Sequence, residues 1–177
     1  MNYNIKLLRD QEIALADKIR QHFEDFFRQH DYSTTTPNVL LFDIKTPSDV
    51  DKVSYGVGFY LILTNYKKEI NPCSFELDGM KAIYRGHCYT VKSRIQSHLL
   101  NNLYRDKTVG KKQHYNVCMK LDGNNGINFT EKPYCKYRWR IVFYKMKESS
   151  KLIREQAELA FDSIFSRPFA SKERSKQ

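Results

Sequence analysis

The sequence lacks the features that would place a chain in a membrane or in the secretory pathway. No apolar run approaches the roughly 18 residues that a membrane-spanning helix needs. Charged residues interrupt residues 1–18, which argues against a secretory signal. We therefore expect a soluble, cytoplasmic protein with no membrane partner.

Cysteine motifs and internal repeats are absent as well. The four cysteines, at positions 73, 88, 118 and 135, form no CxxC pair, and the five histidines are not spaced around them as zinc ligands. This spacing argues against a structural zinc site. We expect free thiols in a reducing compartment.

The composition indicates a folded, basic protein. Its 177 residues suffice for one domain with a hydrophobic core, and 41% of them are hydrophobic, which argues against disorder throughout. The formal net charge is +10 and the pI is about 9.4. This surplus favours a polyanionic partner, with nucleic acid first and an anionic membrane surface second.

The N-terminal 50 residues form the first of the segments that the sequence suggests. Residues 4–30 predict a helix, because apolar residues such as Leu8, Leu15 and Ile19 recur at helical spacing. A break at residues 31–37 precedes the short apolar strand NVLLFDI. We expect residues 1–50 to be either an arm packed on the main fold or a dimerisation element.

Residues 51–170 predict a mixture of strands and helices. Residues 56–66 predict a strand, with Phe59 and Leu61 on one face and Tyr60 on the other. The sequence KAIYRG predicts a second strand, followed by a helix at about residues 91–103 with Thr90 as its N-cap. The sequence DGNNG predicts a hairpin, YCKYRWRIVFYKM a strand, and the residues after Ser149 or Ser150 a helix to about residue 166. Residues 171–177 are expected to be a frayed tail.

Two tyrosine triplets, an arginine and a glutamate occur in a distinctive order on these elements. Gly58-Phe59-Tyr60 lies on the first strand, Tyr84-Arg85-Gly86 on the second, Arg94 on the next helix and Glu158 on the last helix. This arrangement resembles the GIY-YIG nuclease family over about residues 55–170. The chain departs from the family pattern where Phe59 and Arg85 replace isoleucines, and where Ser171 stands in place of the usual asparagine after Pro168.

The resemblance implies an α+β fold of the GIY-YIG type. We expect a central, roughly three-stranded, mainly antiparallel sheet flanked by helices, with the N-terminal helical extension, an insertion at residues 67–80 and a hairpin insertion at residues 104–134. The implied activity is hydrolysis of phosphodiester bonds in DNA by a divalent-metal-dependent endonuclease using Mg²⁺ or Mn²⁺. The hydroxyl of Tyr60 would activate or orient the attacking water, and Tyr84 would hold the water or the scissile phosphate.

The helical positions favour particular residues within this site. Arg94 and His98 share a helix face beside the buried stripe, and a guanidinium forks onto phosphate oxygens. His98 either contacts phosphate or makes a structural hydrogen bond, and His87 either reaches the cleft or is exposed.

The last helix offers two carboxylates as metal ligands. Glu158 lies at the flank of the buried stripe, whereas Glu155 points almost directly away from it. Glu158 is therefore the predicted metal ligand, because Mg²⁺ binds oxygen and keeps several waters.

Basic residues could bind the nucleic-acid backbone, although a solvated surface is the simpler interpretation for any one of them. The candidates are Arg85, Lys92, Lys111, Lys112, Arg138 and Arg140. We predict a stand-alone, restriction-type enzyme that acts on double-stranded DNA and dimerises to cut both strands. The alternatives are a repair, mobile-element or toxin nuclease, or a nucleic-acid-binding module that does not cleave.

Overall fold

The computed structural model describes residues 4–67, 70–101 and 119–171. The helices are α1 (Ile5–Gln29), α2 (Pro47–Lys52), α3 (Val91–Leu99) and α4 (Lys151–Phe165). The strands are β1 (Val39–Ile44), β2 (Gly58–Thr64), β3 (Glu76–Leu77), β4 (Met80–Cys88), β5 (Lys120–Leu121), β6 (Asn124–Asn125) and β7 (Trp139–Lys145).

Among the described residues, five strands form one antiparallel sheet in the order β1-β7-β2-β4-β3. The α+β class is confirmed, but the prediction of a roughly three-stranded sheet is wrong. Strand β1, predicted within the N-terminal segment, pairs along its whole length with β7, and the short β3 pairs with the start of β4. Strands β5 and β6 form a separate small hairpin at the predicted DGNNG turn.

The central strand β2 separates two hydrophobic cores. Every residue of β2 is buried, as expected for a strand with neighbours on both edges and packing on both faces. Phe59, Leu61 and Leu63 face the core beneath α1 and α4, whereas Tyr60 and Ile62 face the core beneath α3. This alternation decides which side of the sheet each functional side chain can reach.

Helix α1 matches its predicted span closely, and only its second half packs on the protein. Phe27 is buried against Phe59 and Phe161, with ring centroids 5.9 and 5.7 Å apart. Apolar side chains in the first half remain exposed, including Ile5 at 68% and Leu8 at 54%. No helix in the described segments is both long and apolar enough to cross a membrane.

Helices α3 and α4 begin where the sequence predicts, with different capping. The Ser150 side chain accepts a hydrogen bond from the Ile153 amide, as in an N-cap. Thr90 precedes α3, but its side chain makes no capping hydrogen bond in the described structure. Helix α3 ends at Leu99, short of the predicted residue 103, and residues 102 and 103 lie outside the described residues.

Residues 168–171 cover part of the outer edge of β4. The Ala170 amide donates to the Ile83 carbonyl at 3.0 Å, and the Arg85 amide donates to the Ser171 hydroxyl at 2.9 Å. Ser171, the first residue of the predicted frayed tail, is therefore buried and bonded, and residues 172–177 lie outside the described residues. Beyond Arg85, no further strand in the described structure pairs with this edge of β4.

Candidate active site

Tyr60, Tyr84 and Gly86 lie together on the face of the sheet that α3 covers. In the β2–β4 register Tyr60 is opposite Gly86, and Ile62 is opposite Tyr84. A Cβ atom at Gly86 would lie 3.0 Å from the Tyr60 hydroxyl oxygen and 3.1 Å from Cε1 of Tyr84. Because glycine has no side chain, both aromatic rings can lie close to the strand backbone at Gly86.

His98 holds the Tyr60 hydroxyl from α3. Its Nε2 atom lies 2.8 Å from the Tyr60 oxygen, and its Nδ1 atom accepts a hydrogen bond from the Met119 amide at 2.9 Å. Because Nδ1 accepts, the neutral ring carries its hydrogen on Nε2 and donates it to Tyr60. Complete burial, and then the charge of Arg94, lower the pKa of His98 well below 6.5, so the ring is neutral at pH 7. His98 thus makes the structural hydrogen bond that was one of its two predicted roles.

Arg94 is the cation of this cluster. It lies one helical turn before His98 and hydrogen-bonds the Tyr60 hydroxyl. Burial lowers the pKa of Arg94, but the Tyr60, Tyr84 and Cys88 side chains together raise it by more, so the guanidinium stays charged.

The protonation of Tyr60 follows from the same surroundings. Burial raises the pKa of Tyr60 well above 10, Tyr84 and Cys88 raise it further, and Arg94 opposes them. Tyr60 is therefore a neutral phenol at pH 7. Because its oxygen accepts from His98 and interacts with Arg94, its own proton is left to be donated to another acceptor.

Glu158 lies on the other side of the sheet, in an ion-paired cluster with Arg85 and Asp162. Arg85 donates from Nη1 to Oε1 of Glu158, and from Nε and Nη2 to the two oxygens of Asp162 at 2.9 and 2.5 Å. Arg85 is only 6% exposed. The prediction that Arg85 contacts nucleic acid is thus replaced by a buried role, in which one guanidinium binds two carboxylates a helical turn apart.

His87 stands next to this cluster. Its Nε2 atom lies 3.6 Å from Oε2 of Glu158, whereas Nη1 of Arg85 contacts Oε1 of the same carboxylate. The His87 side chain is 12% exposed, so it borders the cluster on its more open side. It is neither a freely exposed loop histidine nor part of the Tyr60 group.

The structure therefore divides the predicted site between the two faces of β4. Side chains alternate along a strand, so Tyr84 and Gly86 point towards α3 while Arg85 and His87 point towards α4. Cys88 ends β4. Burial raises the pKa of its thiol to about 11, and the guanidinium groups of Arg94 and Arg154 both oppose this shift.

The carboxylates of α4 lie as the helical projection predicts. Glu158 is 5% exposed, whereas Glu155 is more exposed and lies 3.7 Å from Lys151. Glu158 is thus the inward residue of the pair. Asp162 was not a predicted site residue, although its spacing of four from Glu158 places both on one helix face.

Arg154 is a second residue that the sequence did not single out. It is buried, it donates to the Ser149 carbonyl at 2.5 Å, and its guanidinium lies over the Tyr89 ring at 4.2 Å from the centroid. These contacts join the residue after β4 to the first turn of α4. A helical arginine gives no sequence signal of such a contact.

The described residues could hold a divalent metal ion through one carboxylate. No three His, Cys, Asp or Glu side chains cluster as a metal site in the ranges that the structure describes. The cluster of Arg85, Glu158 and Asp162 nevertheless has one positive and two negative groups, which leaves a surplus of negative charge. Oε2 of Glu158 lies 3.6 Å from Nε2 of His87, and carboxylate oxygen is the type of ligand taken by an ion such as Mg²⁺, which needs one or two protein oxygens and retains water.

The predicted nucleic-acid contacts of the basic residues find less support. Lys92 donates to the Asp51 carbonyl at 2.5 Å, and Arg140 binds the carboxylates of both Asp43 and Asp78. Arg140 is thus ion-paired with two aspartates, and the contact of the predicted cationic face with nucleic acid stays a prediction. Arg138 is exposed and donates to the Asp78 carbonyl at 2.9 Å. Lys111 and Lys112 lie outside the described residues.

Three of the cysteines are free thiols, as predicted. Cys73 is buried, Cys88 is half-buried and Cys135 is exposed, while Cys118 lies outside the described residues. Comparisons with protein-family models, with curated proteins and with solved structures gave no match for this chain.

Proposed function

We propose that this protein is a divalent-metal-dependent DNA endonuclease of the GIY-YIG type. The observation that carries the proposal is the Tyr60 hydroxyl, which accepts a hydrogen bond from His98 and lies beside the Arg94 guanidinium. A hydroxyl held by a donor on a neighbouring helix, with a cation beside it, suits a reaction in which negative charge develops on phosphate oxygens. The net charge of +10 is consistent with a DNA partner.

The proposed reaction uses Arg94 and Tyr60 on one side of β4. The guanidinium of Arg94 would bind the non-bridging oxygens of the scissile phosphate in a forked arrangement. The neutral phenol of Tyr60 would donate a hydrogen bond to a phosphate oxygen or to the attacking water, and so orient it, without giving up its proton. Tyr60 is then a positioned donor in the free protein, and the charge of bound metal and of Arg94 would have to lower its pKa before it could act as a base.

The proposed path of the DNA backbone crosses the edge of β4 beyond Arg85. There the backbone would meet Arg94 and Tyr60 from one face of the sheet and Glu158 from the other. Glu158 would hold Mg²⁺ or Mn²⁺ through Oε2. When bound, such an ion neutralises phosphate charge and lowers the pKa of a coordinated water.

A homodimer is the form in which a restriction-type enzyme would cut both strands of a symmetric site. Two copies supply two active sites related by a twofold axis. The first half of α1 supports this part of the proposal, because Leu8 and Leu15 are 54% and 53% exposed on the same helix face. Light scattering should give the dimer mass, and Leu8→Glu with Leu15→Glu should give the monomer mass. Leu159→Glu, at an exposed leucine of α4, is the matched control, and a monomeric wild type would overturn the dimer.

A non-catalytic nucleic-acid-binding module is the second candidate. The ion pair between Arg85 and Glu158 favours it, because a carboxylate that serves a buried arginine is less free to bind a metal. Binding to DNA would still use the basic surface, without any role for the Tyr60 proton.

Incubation with supercoiled plasmid separates these candidates. The nuclease should nick plasmid with Mg²⁺ or Mn²⁺ and not with EDTA, and Tyr60→Phe should lose most of this activity. Tyr144→Phe is the matched control, since Tyr144 is an equally buried tyrosine of the same sheet that bonds Tyr32 on the opposite face. Glu158→Ala should abolish nicking and Glu155→Ala should not. Plasmid that is bound and never nicked would refute the nuclease and support the binding module.

A further inference from the structure

We propose that His87 is a second protein ligand of the metal ion that Glu158 would hold. The inference rests on the proposed function for the presence of a metal, and it concerns which ion the site selects. It starts from the pair formed by Nε2 of His87 and Oε2 of Glu158, which come from β4 and α4 and lie 3.6 Å apart.

This separation suits two ligands of one ion. Metal–nitrogen and metal–oxygen bonds of about 2.1 Å place two ligand atoms about 3.0 Å apart at a right angle and about 3.4 Å apart at a tetrahedral angle. The observed 3.6 Å is longer than a direct hydrogen bond between the two atoms, and a small closing movement brings it to the ligand spacing. Both side chains are mostly buried, so their directions are set by the packing of β4 against α4.

Arg85 and Asp162 would hold the carboxylate of this ligand pair in position. Arg85 binds Oε1 of Glu158 and is itself held by both oxygens of Asp162, so the carboxylate is fixed with Oε2 towards His87. Ligand carboxylates in metal sites are commonly oriented by hydrogen bonds of this kind. Arg85 alone would neutralise the charge of Glu158. Asp162 adds a second negative charge, so the cluster of three residues remains net negative.

An imidazole ligand changes which ion the site prefers. Carboxylate and water suit Mg²⁺, whereas imidazole nitrogen suits the first-row transition metals. A site of Glu158 and His87 should therefore bind Mn²⁺ more tightly than Mg²⁺. A site of Glu158 alone would lack this nitrogen and this preference.

Mn²⁺ binding to the full chain without DNA tests the proposal. Free Mn²⁺ is followed by electron paramagnetic resonance, and pulsed measurements detect coupling of bound Mn²⁺ to a ligand nitrogen. We expect wild type to bind one Mn²⁺ with nitrogen coupling, and His87→Gln to bind at least about 10-fold more weakly and without the coupling. Glu155→Gln is the control on the same helix and should bind as wild type. His87→Asn replaces His87→Gln if thermal melting shows that the latter is unfolded.

The outcomes separate this inference from the proposed nuclease. Mn²⁺ binding with nitrogen coupling in a protein that never nicks plasmid would support the metal pair and refute the nuclease. Nicking that persists in His87→Gln, with unchanged Mn²⁺ affinity and an unchanged ratio of Mn²⁺ to Mg²⁺ activity, would refute the metal pair alone. A wild type that binds no Mn²⁺, or binds it without nitrogen coupling, would also overturn the inference.

Discussion

Nε2 of His98 donates a hydrogen bond to the Tyr60 hydroxyl across 2.8 Å, between the helix after β4 and the central strand of the sheet. The Met119 amide fixes the ring from its other nitrogen, so the imidazole has one orientation and one tautomer. Because the neutral ring is needed for both hydrogen bonds, the protonation state of His98 affects the stability of the fold as well as the geometry of the site. The stability and the reactivity of the protein should therefore respond to some of the same substitutions.

The stability of the wild type should fall in mild acid because His98 is buried and neutral. The pKa of His98 in the folded chain is below its ordinary value of 6.5, so the unfolded chain binds more protons below that pH. The stabilisation is complete above pH 6.5 and is lost as the pH falls towards the folded pKa, at up to about 1.4 kcal/mol per pH unit. Urea unfolding between pH 7.5 and 5 measures this slope. His98→Gln should have a shallower slope, His22→Gln on α1 should keep it, and equal slopes in all three would contradict the assignment.

Gly86→Ala should impair activity more than folding. The new Cβ would come within 3.0 Å of the Tyr60 hydroxyl and 3.1 Å of the Tyr84 ring, which must shift by a few tenths of an ångström. We expect a loss of stability of about 1–3 kcal/mol and a fall in nicking on the order of 10²-fold. Gly58→Ala provides the contrast, because its Cβ would lie 2.1 Å from the Tyr144 carbonyl oxygen and should prevent folding. Full activity of folded Gly86→Ala would show that the ring positions do not matter.

Arg94→Lys should separate phosphate recognition from net charge. Lysine keeps the positive charge but cannot fork onto two phosphate oxygens. Nicking should fall about 10²–10³-fold, while affinity for plasmid at low salt should change by less than tenfold. Arg28→Lys, at an exposed arginine of α1, should leave both unchanged. Plasmid nicking and filter binding give the two quantities, and an equal loss of both would point to a binding role alone.

Arg85→Met should destabilise the protein and leave its DNA affinity unchanged. It removes the cation from two carboxylates, of which Glu158 is 5% exposed. Breaking such a buried pair costs about 3–5 kcal/mol. Arg138→Met at an exposed arginine should cost less than about 1 kcal/mol, and a reduced salt dependence of DNA binding in Arg85→Met would restore Arg85 as a phosphate contact.

The sequence predicts those parts of the fold whose pattern is local. The long amphipathic α1, the buried strand β2 and the helix α4 match their expected spans to within a few residues. The choice of Glu158 over Glu155 follows from helical projection alone. These features depend on residues that are near one another in the chain, so a periodicity reveals them.

The parts that were missed depend on distant residues. Arg85 meets Asp162 across 77 positions of the chain, and the Met119 amide meets His98 across 21. Strand β1 joins the sheet through β7, almost a hundred residues later, and no local pattern reveals that pairing. The alternation of Tyr84, Arg85 and Gly86 along one strand does imply that Arg85 lies on the face opposite to Tyr84. The contact that brings Glu158 to Arg85 spans 73 positions and has no local signal.

The hydrogen bonds of Ala170 and Ser171 to β4 also bear on how the protein could associate with itself. They occupy backbone groups of Ile83 and Arg85 that would otherwise form an open strand edge beside a hydrophobic core. Exposed edges of this kind are templates on which other chains add strands and aggregate. A chain shortened to end at Arg167 should therefore tend to form intermolecular β-structure. In the intact chain, Ala170 and Ser171 protect the edge of the sheet from pairing with strands of other molecules.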